Sequence, residues 1–170
     1  RRQGRILDEL IEHGNFVPPS TILIRRACFE GLGSFDLRVP GSLDYDMWIR
    51  IAQKYDFVAI DEPLVRYRIH ENRLSCNYAM HIRGVSALMK KYRNYFGVRN
   101  RTNSRRYFLL GIWHCLTGNA RSGRRMYAKA ISYYPYSPKP YVAMGMTFLG
   151  TRRFKHVLRR IIGHSNSLAP

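Results

Sequence analysis

Carboxylates are missing from more than half of this chain. All 11 Asp and Glu fall in residues 1–71, beside 10 of the 29 Lys and Arg, while residues 72–170 carry the other 19 basic residues and no acid. A stretch of that kind is not an ordinary solvated surface; it implies an anionic partner, either a membrane face or nucleic acid. Long apolar runs are absent too. Nothing approaches the roughly 18 consecutive apolar residues of a spanning helix, which excludes that reading. Cysteine is scarce: Cys28, Cys76 and Cys115 are odd in number and far apart. They fit neither a zinc spacing nor a disulfide framework and point to a reducing cytosol. No signal peptide is seen, and the chain opens Arg-Arg-Gln-Gly without an initiator methionine. It reads as a piece of something longer or as a processed product. What is present is ample for one domain: 170 residues, 45% hydrophobic and 13% aromatic, enough to bury a core and to exclude disorder.

Periodicity divides the chain into two regions. "GRILDELIEH" (4–13) places Ile6, Leu7, Leu10 and Ile11 at helical spacing and ends at Gly14. "FVPP" reads as an extended turn and "STILIRR" (20–26) as a short strand. "ACFEGLG" reads as a brief helix closed by Gly33, and "SFDLRVPGS" as a loop. A helix runs from Asp44 to about Tyr55, and "DFVAID" and "LVRYRIH" follow as two strands split by Glu62-Pro63. From Asn77 onward the reading is all helix: a long one to Phe96, a basic linker "VRNRTNS", then residues 104–137 spaced like one tetratricopeptide-like helix pair. Residues 152–162 form a basic amphipathic helix, with Phe154, Val157, Leu158, Ile161 and Ile162 on one face and Arg and Lys on the other.

Within this basic chain, "SLDYDMWIRIA" (42–52) sets two aspartates, Asp44 and Asp46, just before an apolar helical run. Local chemistry reads both as acids of a helix start, where a capping side chain and the helix dipole favour aspartate. Capping does not exclude catalysis. The surrounding string "NFVPPSTILIRRACFEGLGSFD", followed by "LDYDMWIRIAQKYDFVAIDEPLVRYRIHENRLS", resembles the second half of the catalytic domain of family 2 glycosyltransferases, inverting enzymes of the GT-A fold. The resemblance rests on a "stvliRr" strand, a "GGFD" loop, an "EDyDlWlRia" helix start and a "v.ideplv.YR.H" strand pair, nearly continuous over residues 4–76.

The resemblance implies an α/β fold class: a partial GT-A (nucleotide-diphospho-sugar transferase) layer in residues 1–76, followed by an all-helical extension in residues 77–170. It implies transfer of a sugar from a nucleotide-diphospho-sugar donor to a hydroxyl acceptor, in surface polysaccharide or glycolipid synthesis. The family's base falls on Asp44, with Leu43 where the family carries glutamate, and Asp46 and Trp48 are read as structural. Gly33, Ser34, Phe35 and Asp36 correspond to the acceptor-side loop, Ser34 replacing its second glycine. Arg68 and His70 share a strand face toward the diphosphate, and His70 is also a candidate metal ligand. A divalent metal, Mg or Mn, is implied, with its main D-x-D ligands expected upstream of Arg1. "DYD" has the letters but sits at the acceptor-side helix start, and no "QxxRW" follows. The 170 residues alone are therefore expected not to catalyse transfer, and the missing N-terminal half of the same chain counts among the expected partners.

The alternative is a basic helical module that binds nucleic acid or protein without catalysis. No recognised nucleic-acid motif supports it, and one tetratricopeptide-like unit offers little concave surface. An anionic membrane surface is the preferred partner, which places the protein peripherally on the cytoplasmic face.

Overall fold

The computed structural model describes residues 3–66, 77–97, 100–149 and 154. Helix α1 (Leu7–His13) is followed by a 3-10 turn at Pro19–Thr21, α2 (Arg26–Leu32) and α3 (Leu43–Ala52). Then come α4 (Tyr78–Lys91), α5 (Arg93–Phe96), α6 (Asn100–Leu116), α7 (Ala120–Tyr133), α8 (Pro138–Met146) and a closing 3-10 turn at Thr147–Leu149. Among the described residues no helix is long and apolar enough to cross a membrane.

The α/β expectation is corrected here: every regular element among the described residues is a helix and none is a strand. "STILIRR" splits into the 3-10 turn, an extended stretch from Ile22 (φ −116°, ψ 137°) to Arg25 (φ −65°, ψ 136°), and the start of α2. "DFVAID" makes a single antiparallel bridge, with Gly4 N–H donating to Phe57 O (2.6 Å) and Phe57 N–H to Gly4 O (2.9 Å). The physical reason is that alternation sets which side chains share a face, whereas a strand exists only when its backbone finds a ladder partner. Leu23, Val58 and Ile60 are accordingly exposed. Of "LVRYRIH", residues 67–70 lie outside the described residues.

Three helix ends follow local chemistry. Gly14 (φ 85°) and Gly33 (φ 76°) close α1 and α2 in the left-handed region that glycine tolerates, and Asn77 caps α4 by accepting from Met80 N–H. The long helix expected from Asn77 breaks at Tyr92 (φ −106°, ψ 29°) into α4 and α5. Much of the expected basic linker is instead the first turn of α6: Thr102, Asn103 and Ser104 are buried, and Asn103 Nδ2 donates to Phe96 O at 2.5 Å.

Two cores result. The first gathers Ile6, Leu10 and Ile11 of α1, Met47, Trp48 and Ile49 of α3, and Leu88, Tyr92 and Phe96, Ile6 standing at the N-cap of α1. The second gathers Leu110, Ile112 and Trp113 of α6, Tyr127 of α7, Ala143 of α8 and Phe154. Helix α4 serves both, since Met89 packs against each core. Helices α6 and α7 approach so closely that a Cβ on Gly111 would meet the Tyr127 ring and one on Gly123 would meet Cys115 Sγ. Cys28 and Cys115 are buried free thiols, and burial pushes the Cys115 thiol up. Residues 152, 153 and 155–162 of the expected amphipathic helix are outside the described residues; Phe154, its first apolar position, is helical and buried.

Candidate functional site

The site is assembled on the first turn of α3. Its N-cap position is Ser42, whose side chain makes no capping bond, so Asp44 is the second helical residue rather than the cap. Asp44 is half-buried, and its Oδ2 accepts from Asn15 Nδ2 at 2.7 Å. Asn15 is itself held just past the end of α1, where its Oδ1 accepts from Val17 N–H at 3.3 Å. Trp48 fixes the same segment by donating from Nε1 to Val17 O at 2.9 Å. One carboxylate oxygen of Asp44 is thereby oriented, and among the described residues Oδ1 meets no donor.

Asp46 differs in every respect. It is fully buried, Oδ2 accepts from Arg50 Nε (3.0 Å), and Oδ1 accepts from Tyr92 OH (2.9 Å) and Lys91 Nζ (2.7 Å). With both oxygens consumed it has nothing left to offer a substrate. The Tyr92 hydroxyl is pushed well above its ordinary value, first by burial and then by donating to Asp46. Lys91 also reaches Asp36 Oδ2 at 2.8 Å, so one ammonium joins α4 to α3 and to the acceptor-side loop. Arg38 grips Asp36 from the other side, Nε to Oδ1 at 2.8 Å and an Nη to Oδ2 at 2.9 Å. These bonds, Arg38 first and Lys91 second, hold the Asp36 carboxyl well below the usual carboxylate range.

Arg50 organises the loop before Asp36. Its guanidinium donates to Leu32 O (2.7 Å), Gly33 O (3.3 Å) and Ser34 O (2.7 Å) while its Nε holds Asp46. Ser34 and Phe35 are left exposed, Phe35 tilted against Phe29 with ring centroids 6.0 Å apart. On the far side, Gly84 of α4 sits against the loop's end: a Cβ there would run into Pro40 O and reach Ser42 Oγ at 2.7 Å. Below α3, the buried Tyr45 donates to Leu10 O at 2.6 Å and accepts from Arg106 Nη2 at 3.1 Å. Burial raises the Tyr45 hydroxyl above its ordinary value.

The structure thus brings Gly33, Ser34, Phe35 and Asp36 onto the same framework as Asp44. Arg68 and His70 lie outside the described residues. Arg50, Lys91, Tyr92, Asn15 and Gly84 were not singled out from the sequence. Arg50 carries a legible signal, the Asp46-to-Arg50 spacing of four on one helix; the others meet the site only through tertiary packing. A separate open groove of about 680 Å³, lined by Glu12, Arg101, Tyr133, Tyr134 and Tyr136 among others, shares no residue with this framework.

The ligands that the resemblance implies for a divalent metal, a D-x-D upstream and His70, lie outside the described residues. No three His, Cys, Asp or Glu among them could hold a metal ion. Asp36 and Asp46 face a common point, but the Lys91 ammonium occupies it.

Comparison with known proteins supplies the class to which this framework belongs. The model described as glycosyltransferase like family 2 matches residues 3–107, more than half of the chain. The chain belongs to that family. No curated protein and no solved structure matches it. The matched region runs through α4 and α5 into α6, and so includes Lys91, Tyr92 and Arg106 as well as the α3 turn.

Proposed function

We propose that the chain serves the transfer of a sugar from a nucleotide-diphospho-sugar to a hydroxyl acceptor with inversion, in surface polysaccharide or glycolipid assembly, with Asp44 as the base. The observation that supports this reading is the contrast among three carboxylates on one framework. Asp36 and Asp46 have both oxygens engaged by cations, whereas Asp44 has one oxygen fixed by Asn15 and the other without a donor among the described residues. A base needs that arrangement: a fixed carboxylate with a free lone pair. Asp44 takes the proton of the acceptor hydroxyl as its oxygen attacks the anomeric carbon. The new carbon–oxygen bond forms on the face opposite the departing diphosphate, which leaves with the electron pair of the broken bond. The exposed Ser34 and Phe35, in the loop gripped by Arg50, line the acceptor side; Asp36 holds that loop in place. Arg68 and His70 are assigned to the diphosphate side by resemblance alone.

The protein acts peripherally on the cytoplasmic face of an anionic membrane. The support is the charge asymmetry: residues 72–170 carry 19 Lys and Arg and no carboxylate. Transfer is tested by incubating the full-length protein, donor-binding half included, with a panel of nucleotide-diphospho-sugars and lipid-linked hydroxyl acceptors, and assigning the product's anomeric configuration by NMR. A configuration opposite to the donor's supports the reading; a retained configuration refutes it.

A further inference from the structure

We infer that the outer face of α8, with the residues flanking it, is the surface by which this chain docks on an anionic lipid bilayer. The inference deepens the membrane reading above and rests on it. Helix α8 buries Pro140 and Ala143 toward α7, with Thr147 continuing that face. The opposite face is apolar and aromatic yet exposed: Tyr141 46%, Val142 60% and, in the turn that follows, Phe148 73%, with Tyr136 at 84% just before the helix. Gly145, on the same outer face, has open space where a Cβ would stand. A solvated helix does not ordinarily show four such side chains together.

The surroundings say what covers the face. Lys139 on α8 is an exposed cation, and Arg124 of α7 lies 4.9 Å over the Phe148 ring. Helices α7 and α8 carry no carboxylate themselves, though Glu12 lines the groove that Tyr136 shares. An apolar face with tyrosines and flanking cations matches the interface of an anionic bilayer, where aromatic rings sit at headgroup level and lysine and arginine meet lipid phosphates. An acidic protein partner would satisfy the cations, but it would not call for so exposed an apolar and aromatic set of side chains.

The test uses the 170-residue chain and sedimentation with vesicles of phosphatidylcholine containing phosphatidylglycerol, against phosphatidylcholine alone. The wild type is expected to partition onto the anionic vesicles. Tyr141→Ser, Val142→Ser and Phe148→Ser together are expected to weaken that partition about tenfold or more, beyond the loss from Lys139→Gln alone. These positions are exposed, and circular dichroism checks that the fold is kept; if the triple variant does not fold, Tyr136→Ser with Phe148→Ser replaces it. Equal binding of wild type and variant overturns the α8 assignment while leaving an electrostatic membrane reading intact. No binding of the wild type overturns both. A wild-type dimer without lipid that the variant turns into monomer assigns the face to a second copy and also overturns the inference.

Discussion

Replacing Lys91 with methionine removes one cation from two carboxylates while keeping most of the aliphatic stem. Asp46 is fully buried, the Asp36 side chain is 12% exposed and that of Lys91 30%, so the charges are shielded from water but not wholly removed from it. Breaking a fully buried pair by deleting one partner costs about 3–5 kcal/mol; with Lys91 partly solvated and Arg50 and Arg38 retained, about 2–3 kcal/mol is expected. For a chain of this size that is a fall in Tm of about 4–12 °C. The pH dependence gives a sharper check. The Asp36 carboxyl is depressed in the folded state, so its contribution is complete above the ordinary value of about 3.9 and fades as pH falls toward the folded value. The gap between wild type and Lys91→Met, measured by urea unfolding, should be full at pH 7 and shrink only in acid, where the variant's Asp36, held by Arg38 but no longer by Lys91, protonates ahead of the wild type's. A gap under about 0.5 kcal/mol at pH 7 would refute the bridging role.

Tyr92→Phe deletes a donor to the buried Asp46 and should cost about 1.5–3 kcal/mol in the same unfolding assay, with little change in volume. Gly84→Ala should cost at least the upper end of about 1–3 kcal/mol, because the atoms it meets include backbone, Pro40 O. Gly111→Ala should cost a similar amount through the Tyr127 ring, and adding Tyr127→Leu should recover part of it; full additivity of the two losses would show that the two sites do not touch.

What the sequence disclosed depended on the range of each interaction. Helix ends at Gly14, Gly33 and Asn77 and the apolar face of α3 are local and were legible. So was the set of motifs that marks the family, and the Asp46–Arg50 spacing was visible on one helix. The orientation of Asp44 was not, because Asn15 lies 29 residues upstream, and neither was Lys91, 55 residues from Asp36. The expected strands show the same limit. In "STILIRR" and "DFVAID" the side-chain pattern suits extended backbone, but pairing is a property of two segments, and among the described residues only Gly4 and Phe57 meet. The polar start of α6 was read as a linker because its burial depends on a distant partner, Phe96 O for Asn103.

The most direct measurement is the transfer rate of Asp44→Asn, made in the full-length protein, at saturating donor and acceptor. Asparagine keeps the size of the side chain and can still accept from Asn15, so folding and donor affinity should match the wild type, and the same substitution at Asp46 should instead lower stability. Loss of the base predicts a fall in kcat of about 10²–10⁴-fold with the donor Kd unchanged. Turnover within a few-fold of wild type would contradict the account and leave Asp44 as a first-turn acid of α3.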